Sequence, residues 1–313
     1  MPDAAKEALV VDLWASLFLL VPAVSTTFAS VERMLGKLPP EALGWLLIDE
    51  AGQALPQAAV GALMRSRRAI VVGDPMQIEP VVVRTDVLTQ AICRTFGIDP
   101  DRFNAPVASV QTLADAATPY VAEFSNRHGS RTVGVPLLVH RRCDQPMFGI
   151  SNAVAYEHLM VQGRGARQSA IRDILGPSRW IDISGSANEK WCPEEGDAVL
   201  ALLGTLRRLT EPPDIYIITP FVVVQDNLRA LVRDSGVLDD WKVDPGRWVY
   251  DRIGTVHTVQ GREAEAVILI LGAPAVQQTG ARNWAGGRPN ILNVAVTRAK
   301  EALWHRFAIN CKS

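Results

Sequence analysis

The sequence predicts an α/β fold: parallel sheets flanked by helices. Three observations predict it. Short β-rich apolar runs alternate with longer helical stretches along the chain, as strands joined by crossover helices require. The runs are continuously apolar, as strands covered on both faces must be. The length, 313 residues, suits two domains at roughly 150 residues each.

In chain order, Leu13 to Val24 reads as a helix end followed by a buried strand over Leu19–Val24. It is too short to span a bilayer, and Asp3, Glu7 and Asp12 stand where a secretory leader carries positive charge. Trp45–Ile48 and Ala69–Val72 are the next strands, with Gln57–Met64 as helix between them. The polar stretch Ser125–Thr132, containing Gly129, reads as a linker between domains 1–124 and 133–313. Strands then follow at Val135–Val139, Trp180–Ile183, Ile215–Ile218, Ile253–Val256 and Ala266–Leu271. Phe221, Val224, Leu228, Leu231 and Val232 fall at helical spacing, leaving Asp226, Arg229 and Arg233 to water. Gln277–Arg288, rich in glycine and polar residues, reads as a loop, and Trp14, Trp45 and Trp180 within apolar runs read as core.

With 48% hydrophobic and 21% charged residues the chain can bury real cores. A net charge of −1 argues against a histone-like or wholly basic binder but not against a protein that grips one strand in a local groove. Cys93, Cys143, Cys192 and Cys311 form no C-x-x-C pair, which argues against a zinc site or disulfide framework and fits a reducing cytoplasm. His257 and the His140-x-x-Cys143 spacing lack a second compact ligand pair.

Asp49 and Glu50 directly follow the Trp45–Ile48 strand, and ligands of open α/β sheets bind beyond the carboxyl ends of strands. One carboxylate suits Mg²⁺ and its neighbour suits activation of water, although an acid pair there also serves as an ordinary strand-to-helix turn. The next strand ends in Gly73-Asp74-Pro75-Met76-Gln77, a tight turn displaying an amide able to donate to a phosphate oxygen; a solvent-facing glutamine is the plain alternative. On a helix through Asn293–Lys300, Leu292, Ala295, Val296 and Ala299 form an apolar stripe with Arg298 at its edge. A guanidinium partly withdrawn from water needs an anion, phosphate or a local carboxylate.

These segments resemble motifs II, III and VI of superfamily 1 helicases, in the branch containing the RNA helicase of nonsense-mediated decay. Val24–Ser30 resembles a nucleic-acid-contacting loop; His140-Arg141-Arg142-Cys143 with Ile150-Ser151-Asn152 and Tyr156 resembles motif IV. Thr219-Pro220-Phe221 with Gln225 resembles a second-domain segment, and Gly254–Glu263 motif V. The matches follow the family's order along nearly the whole chain. The resemblance implies two RecA-like domains and ATP and Mg²⁺ as cofactors. Asp49 would hold the metal, Glu50 would activate water, and Gln77 would sense the γ-phosphate. Arg141 and Arg298 would be arginine fingers. Gly73, Asp74, Gly261 and Glu263 would lie on the nucleotide, Glu263 at the ribose. Thr26, Thr27, Thr219, Thr255, His257 and Thr258 would contact single-stranded DNA or RNA, with 5′-to-3′ movement, no membrane partner and a monomer by default.

One part is absent from the sequence. A G-x-x-x-x-G-K-[ST] phosphate loop does not occur; the only Gly-Lys pair, Gly36-Lys37, is followed by Leu38, with Val31 at the first glycine position. The resemblance therefore implies a first domain incomplete at its N-terminus, in a truncated or excised piece. Leu303-Trp304-His305-Arg306-Phe307 also departs from the clean apolar last strand of the family. The expected function is a portion of an ATP-dependent helicase or translocase, the alternatives being a non-catalytic nucleic-acid-binding or regulatory fragment and a decayed gene fragment.

Overall fold

The structure, a computed structural model, describes residues 3–74, 76–82, 85–105, 107–126, 129–183, 185–187, 189–273, 278–287 and 289–307. Two compact units divide at Pro136/Leu137. Unit 1 contains α1 (Asp3–Leu20), α2 (Phe28–Leu35), β1 (Leu46–Ile48), α3 (Pro56–Met64), β2 (Ala69–Val71), α4 (Asp86–Thr95), α5 (Pro100–Phe103), α6 (Val110–Ala117), β3 (Ala122–Asn126) and β4 (Gly129–Val133). Unit 2 contains β5 (Val139–His140), α7 (Met147–Ala155), β6 (Val161–Gln162), α8 (Ala170–Leu175), β7 (Arg179–Asp182), α9 (Pro193–Leu206), β8 (Ile215–Thr219) and α10 (Val222–Asp234). It continues with α11 (Pro245–Arg252), β9 (Ile253–Thr255), β10 (Ala264–Ile270), α12 (Thr279–Gly286), α13 (Pro289–Thr297) and β11 (Ala299–Phe307).

In unit 1, β1 and β2 pair in parallel with Leu47 opposite Ile70. One face packs Ile48 with Ala59 of α3 and Val110 of α6. On the other face Trp45, Leu47 and Ile70 are exposed, so Trp45 is not a core residue. The expected strand at Leu19–Val24 is also corrected. Leu19 and Leu20 complete α1, both more than 80% exposed, and the helix stops before Pro22, which lacks an amide hydrogen and disfavours helix in the residue before it. No helix among the described residues is long and apolar enough to cross a membrane.

Of the segment expected as a linker, 125–132, residues 125–126 and 129–132 pair antiparallel in β3 and β4, and residues 127 and 128 lie outside the described residues. Expected strand Val135–Val139 shrinks to β5, with Val135 and Leu137 exposed.

Unit 2 is built on a five-stranded parallel sheet, β7-β11-β10-β8-β9. Alternation along the strands serves both faces. Ile215, Ile217, Ala266, Ile268, Ile270 and Trp304 join one core with α8 to α11, while the intervening Ile218, Val267, Leu269 and Leu303 are equally buried. This is why β8 and β10 read as unbroken apolar runs.

Three expectations fail here. The expected loop at 277–288 contains α12; residues 277 and 288 themselves lie outside the described residues. Trp180, on edge strand β7, is half exposed. And the segment Leu303–Phe307 is the end of the nine-residue strand β11, inserted between β7 and β10. Leu303 and Trp304, completely buried, supply the apolar content the mixed spelling obscures. Trp304→Ala is expected to destabilise unit 2 by about 3–5 kcal/mol, the usual cost of emptying a buried tryptophan site. Urea denaturation followed by circular dichroism measures it, and a shift under about 1 kcal/mol would show that β11 is not integral to the sheet.

Candidate functional site

The acid pair of unit 1 is set by the end of β1. Glu50 turns into the left-handed region, φ 52°, at a cost of about 1–2 kcal/mol for a residue with a side chain. Its amide donates to Asp49 Oδ1 at 2.9 Å, and its Oε2 accepts from Gln53 Nε2 at 2.9 Å. Asp49 is exposed and Glu50 partly buried. The adjacent strand β2 delivers the second segment beside them: Ala51 N donates to Val72 O at 3.0 Å. Gly73 is required by this approach, because a Cβ there would stand 2.8 Å from Gly52 N and 2.6 Å from Gln111 Oε1. Asp74 then organises its own turn, accepting from Met76 N at 2.9 Å and from Gln77 Nε2 at 3.1 Å. Asp49, Glu50, Gly73, Asp74 and Gln77 thus share the carboxyl ends of two neighbouring parallel strands. Pro75 lies outside the described residues.

In unit 2 the separate motifs are joined through polar contacts, some part-exposed and some buried. Glu263, just before β10, pairs with Arg142 Nε at 3.0 Å and Lys300 Nζ at 2.7 Å, and these cations, Lys300 foremost, hold its carboxyl below the ordinary value. Asn293 accepts from Ser151 Oγ at 2.7 Å and donates to Tyr156 Oη at 3.0 Å. Arg298 is 1% exposed; its Nε donates to Val294 O at 3.2 Å and its Nη1 to Arg262 O at 3.1 Å. Arg298 is therefore not at the edge of a helical stripe. The helix ends at Thr297 and Ala299 already begins β11, so the guanidinium closes the helix end inside the unit. Arg141, by contrast, is exposed, with no side-chain hydrogen bond or ion pair among the described residues.

Two families described as AAA domain match the chain, one over residues 126–305 and the other over residues 22–85. The first covers more than half of the chain. The chain belongs to the AAA domain family. This agrees with the superfamily 1 helicase resemblance, while nothing assigns the nonsense-mediated-decay branch. Among curated proteins it is similar to the DNA replication ATP-dependent helicase/nuclease DNA2 of Gallus gallus, 23% identical over 262 residues. That alignment takes in 82% of this chain and 22% of the relative, so the chain spans under a quarter of the relative's length. Among solved structures it is similar to the PRRSV helicase (13% identity, TM-score 0.38, 83% of this chain and 34% of that one). It is also similar to Arterivirus nonstructural protein 10, a helicase, in complex with DNA (15% identity, TM-score 0.36, 84% and 39%).

The residues expected to meet a nucleic-acid strand divide by exposure. Thr26 and Thr27 lie exposed between α1 and α2 of this AAA-domain chain, and His257 and Thr258 lie exposed beyond β9. Thr219 is completely buried, its Oγ1 accepting from Phe221 N at 3.4 Å, and Thr255 is 5% exposed, its amide donating to Gln225 Oε1 at 3.0 Å. These two threonines hold strand ends in place. Gly261, φ 77°, makes the left-handed turn before β10, a conformation that favours glycine.

The His140-x-x-Cys143 pair is used internally. His140 Nε2 accepts from Cys143 N at 3.0 Å, and the thiol, pushed up to about 12 by burial, faces Thr297 O at 3.6 Å. Sequence reading missed Asp144 and Arg167. Asp144 is buried and accepts from Arg167 N at 2.7 Å, while Arg167 Nη1 also reaches the Arg142 and Lys300 carbonyls at 2.8 and 3.0 Å. The one signal was an acid directly after the His140–Cys143 segment; Arg167 carries none.

The depressed Glu263 carboxyl fixes a sign for pH dependence. Its contribution is present above the ordinary glutamate range and lost as pH falls through its lowered value. Glu263→Gln is expected to lower stability at pH 7 by roughly 0.2–1 kcal/mol, as for a part-exposed ion pair, and the difference from the parent should shrink as pH falls below the ordinary glutamate range. Denaturation midpoints across pH would read this; a constant difference would place the effect elsewhere.

Proposed function

We propose that this chain is a portion of an ATP-dependent nucleic-acid helicase or translocase that works on single-stranded DNA or RNA. Family membership and the ordered motifs support helicase-like action on nucleic acid. The observation that carries the finer reading is the grouping of Asp49, Glu50, Gly73, Asp74 and Gln77 at the adjoining carboxyl ends of β1 and β2.

Asp49 fits a magnesium ion: its carboxylate is exposed and, among the described residues, only Oδ1 is engaged, by Glu50 N. Hard oxygen of that kind is what Mg²⁺ takes alongside water and phosphate. When bound, Mg²⁺-ATP supplies phosphoryl transfer to water. Glu50, oriented by its left-handed turn and by Gln53, accepts the proton of the attacking water on its carboxylate. Gln77, tethered to Asp74, offers its amide to the terminal phosphate. Arg141 is the stronger candidate for charge stabilisation, because it is exposed whereas Arg298 is buried with its Nε and Nη1 on carbonyl groups. No residue of this chain supplies the phosphate loop. That absence favours a second reading, a nucleic-acid-binding or regulatory fragment without turnover.

In a longer parent carrying a phosphate loop, Glu50→Gln is expected to reduce strand-stimulated ATPase by at least ~100-fold, with nucleotide binding retained; unchanged turnover would remove Glu50 from the mechanism. The 313-residue chain alone is expected to bind strands without hydrolysis, and robust Mg²⁺-dependent turnover by it would overturn the fragment reading.

His257 supplies a pH test. Desolvation by the neighbouring protein lowers its pKa from the ordinary value, so the charged form is disfavoured in the free protein. A phosphate beside it favours the charged form, so binding takes up a proton. Affinity for an oligonucleotide is expected to rise as pH falls from 8 to 5.5, and the rise to be smaller in His257→Ala. Fluorescence anisotropy at each pH decides; parallel curves would exclude His257 from the strand interface.

A further inference from the structure

A cavity of about 500 Å³ lies within unit 2, lined among others by Ile150, Trp180, Phe221, Leu271, Leu292 and Leu303. Its position follows from the sheet order. After β8 the chain moves outward to β9 on one side; after β10 it moves to β11 on the other. Neighbouring strands whose outgoing connections diverge leave a crevice beyond their carboxyl ends. Phe221 follows β8 and Leu271 follows β10, so the cavity opens at that crevice. Glu263, Arg298 and Lys300 lie at the opposite, amino ends of β10 and β11. The lining also reaches back along β11 to Leu303, three residues past Lys300, and to Pro146, two residues past Asp144, whose amide donates to Lys300 O at 2.8 Å.

The lining is almost wholly apolar and includes no aspartate or glutamate. Its charged members are Arg282, held by Ala273 O at 2.9 Å and Thr279 Oγ1 at 3.1 Å, and Arg179. Arg179 is exposed and, among the described residues, its side chain makes no ion pair or hydrogen bond. The Trp180 ring at the rim is held by its Nε1 donating to Asp182 Oδ1. A site of this size with apolar walls and few placed polar groups is the ordinary form of a small-molecule pocket. A nucleotide does not suit it, since the one side-chain hydroxyl among the walls, Ser178, already accepts from Leu303 N at 3.0 Å, leaving few polar groups for a sugar and base edges.

We propose that this cavity binds an apolar monoanion, an aromatic or medium-chain carboxylic acid in its ionised form. The hydrocarbon body fills the space under Phe221 and Leu303, and the carboxylate meets Arg179. No lining residue is among those proposed for the nucleotide, so the site stands whether or not the chain turns over ATP.

Decanoate and the uncharged 1-octanol serve as probes, titrated calorimetrically into the 313-residue chain at low ionic strength. Decanoate is expected to bind at one site. Arg179→Ala is expected to weaken decanoate at least 5-fold while leaving 1-octanol unchanged. Ala285→Trp, which fills the cavity from α12, is expected to abolish both, with circular dichroism confirming that it folds. Should Ala285→Trp not fold, Ile150→Phe blocks from α7 and is expected to weaken both probes. No decanoate binding, or equal binding by parent and both Arg179→Ala and a folded cavity-filling variant, would overturn the proposal.

Discussion

Large parallel sheets are covered on both faces as a rule, and the covering of the five-stranded unit 2 sheet limits where the polar groups of that unit can go. With β8 and β10 buried on both faces, side chains able to meet a ligand are confined to strand ends and the turns beyond them. Glu263 and Lys300 occupy one end; Phe221, His257 and Thr258 occupy the other. Groups that fall inside this boundary must be satisfied within the protein. Arg298 shows the consequence, since a guanidinium excluded from water takes carbonyl oxygens from its own helix and from the turn before β10.

The same constraint decides what could be read from the residues alone. Unbroken apolar runs such as Ile215–Ile218 mark strands covered on both faces, and the α/β class follows. Leu19–Val24 is the counterexample: its composition is that of a buried strand, yet it has no partner strand, and Leu17 O simply accepts from Val21 N as the helix ends. β11 fails in the opposite sense. His305 and Arg306 interrupt its apolar pattern, but hydrogen bonding to strands on both sides defines it. Pairing is a non-local property, and no window of sequence contains it.

At the candidate site, residue identity was legible while residue availability was not. The turns after β1 and β2 could be placed because acid pairs and glycine-proline punctuation are local signals. Whether a threonine or arginine faces solvent depends on which distant segment packs over it. Thr219 and Thr258 are the same residue type at neighbouring strand ends, yet one is sealed under Phe221 N and the other is exposed. Arg141 and Arg298 divide in the same way. Asp144 and Arg167, which bind the turn bearing Arg141 to the start of β11, are far apart in sequence and belong to no short pattern.

Gly73 shows how two such local signals become one device. The backbone of the β2 turn approaches the Ala51–Gly52 backbone so closely that a side chain cannot be interposed. Gly52 is confined from the other side, where a Cβ would meet Asp74 O at 3.1 Å. With each turn limiting the other, a displacement of Gln77 and Asp74 is passed through main-chain contact to Ala51, and so to the turn that orients Glu50. Side-chain repacking cannot absorb that motion, because the contact involves no side chain. In the proposed motor, an amide that reads the terminal phosphate and a carboxylate that activates water would therefore shift together, and the coupling would lie in the close approach of the Gly52 and Gly73 backbones.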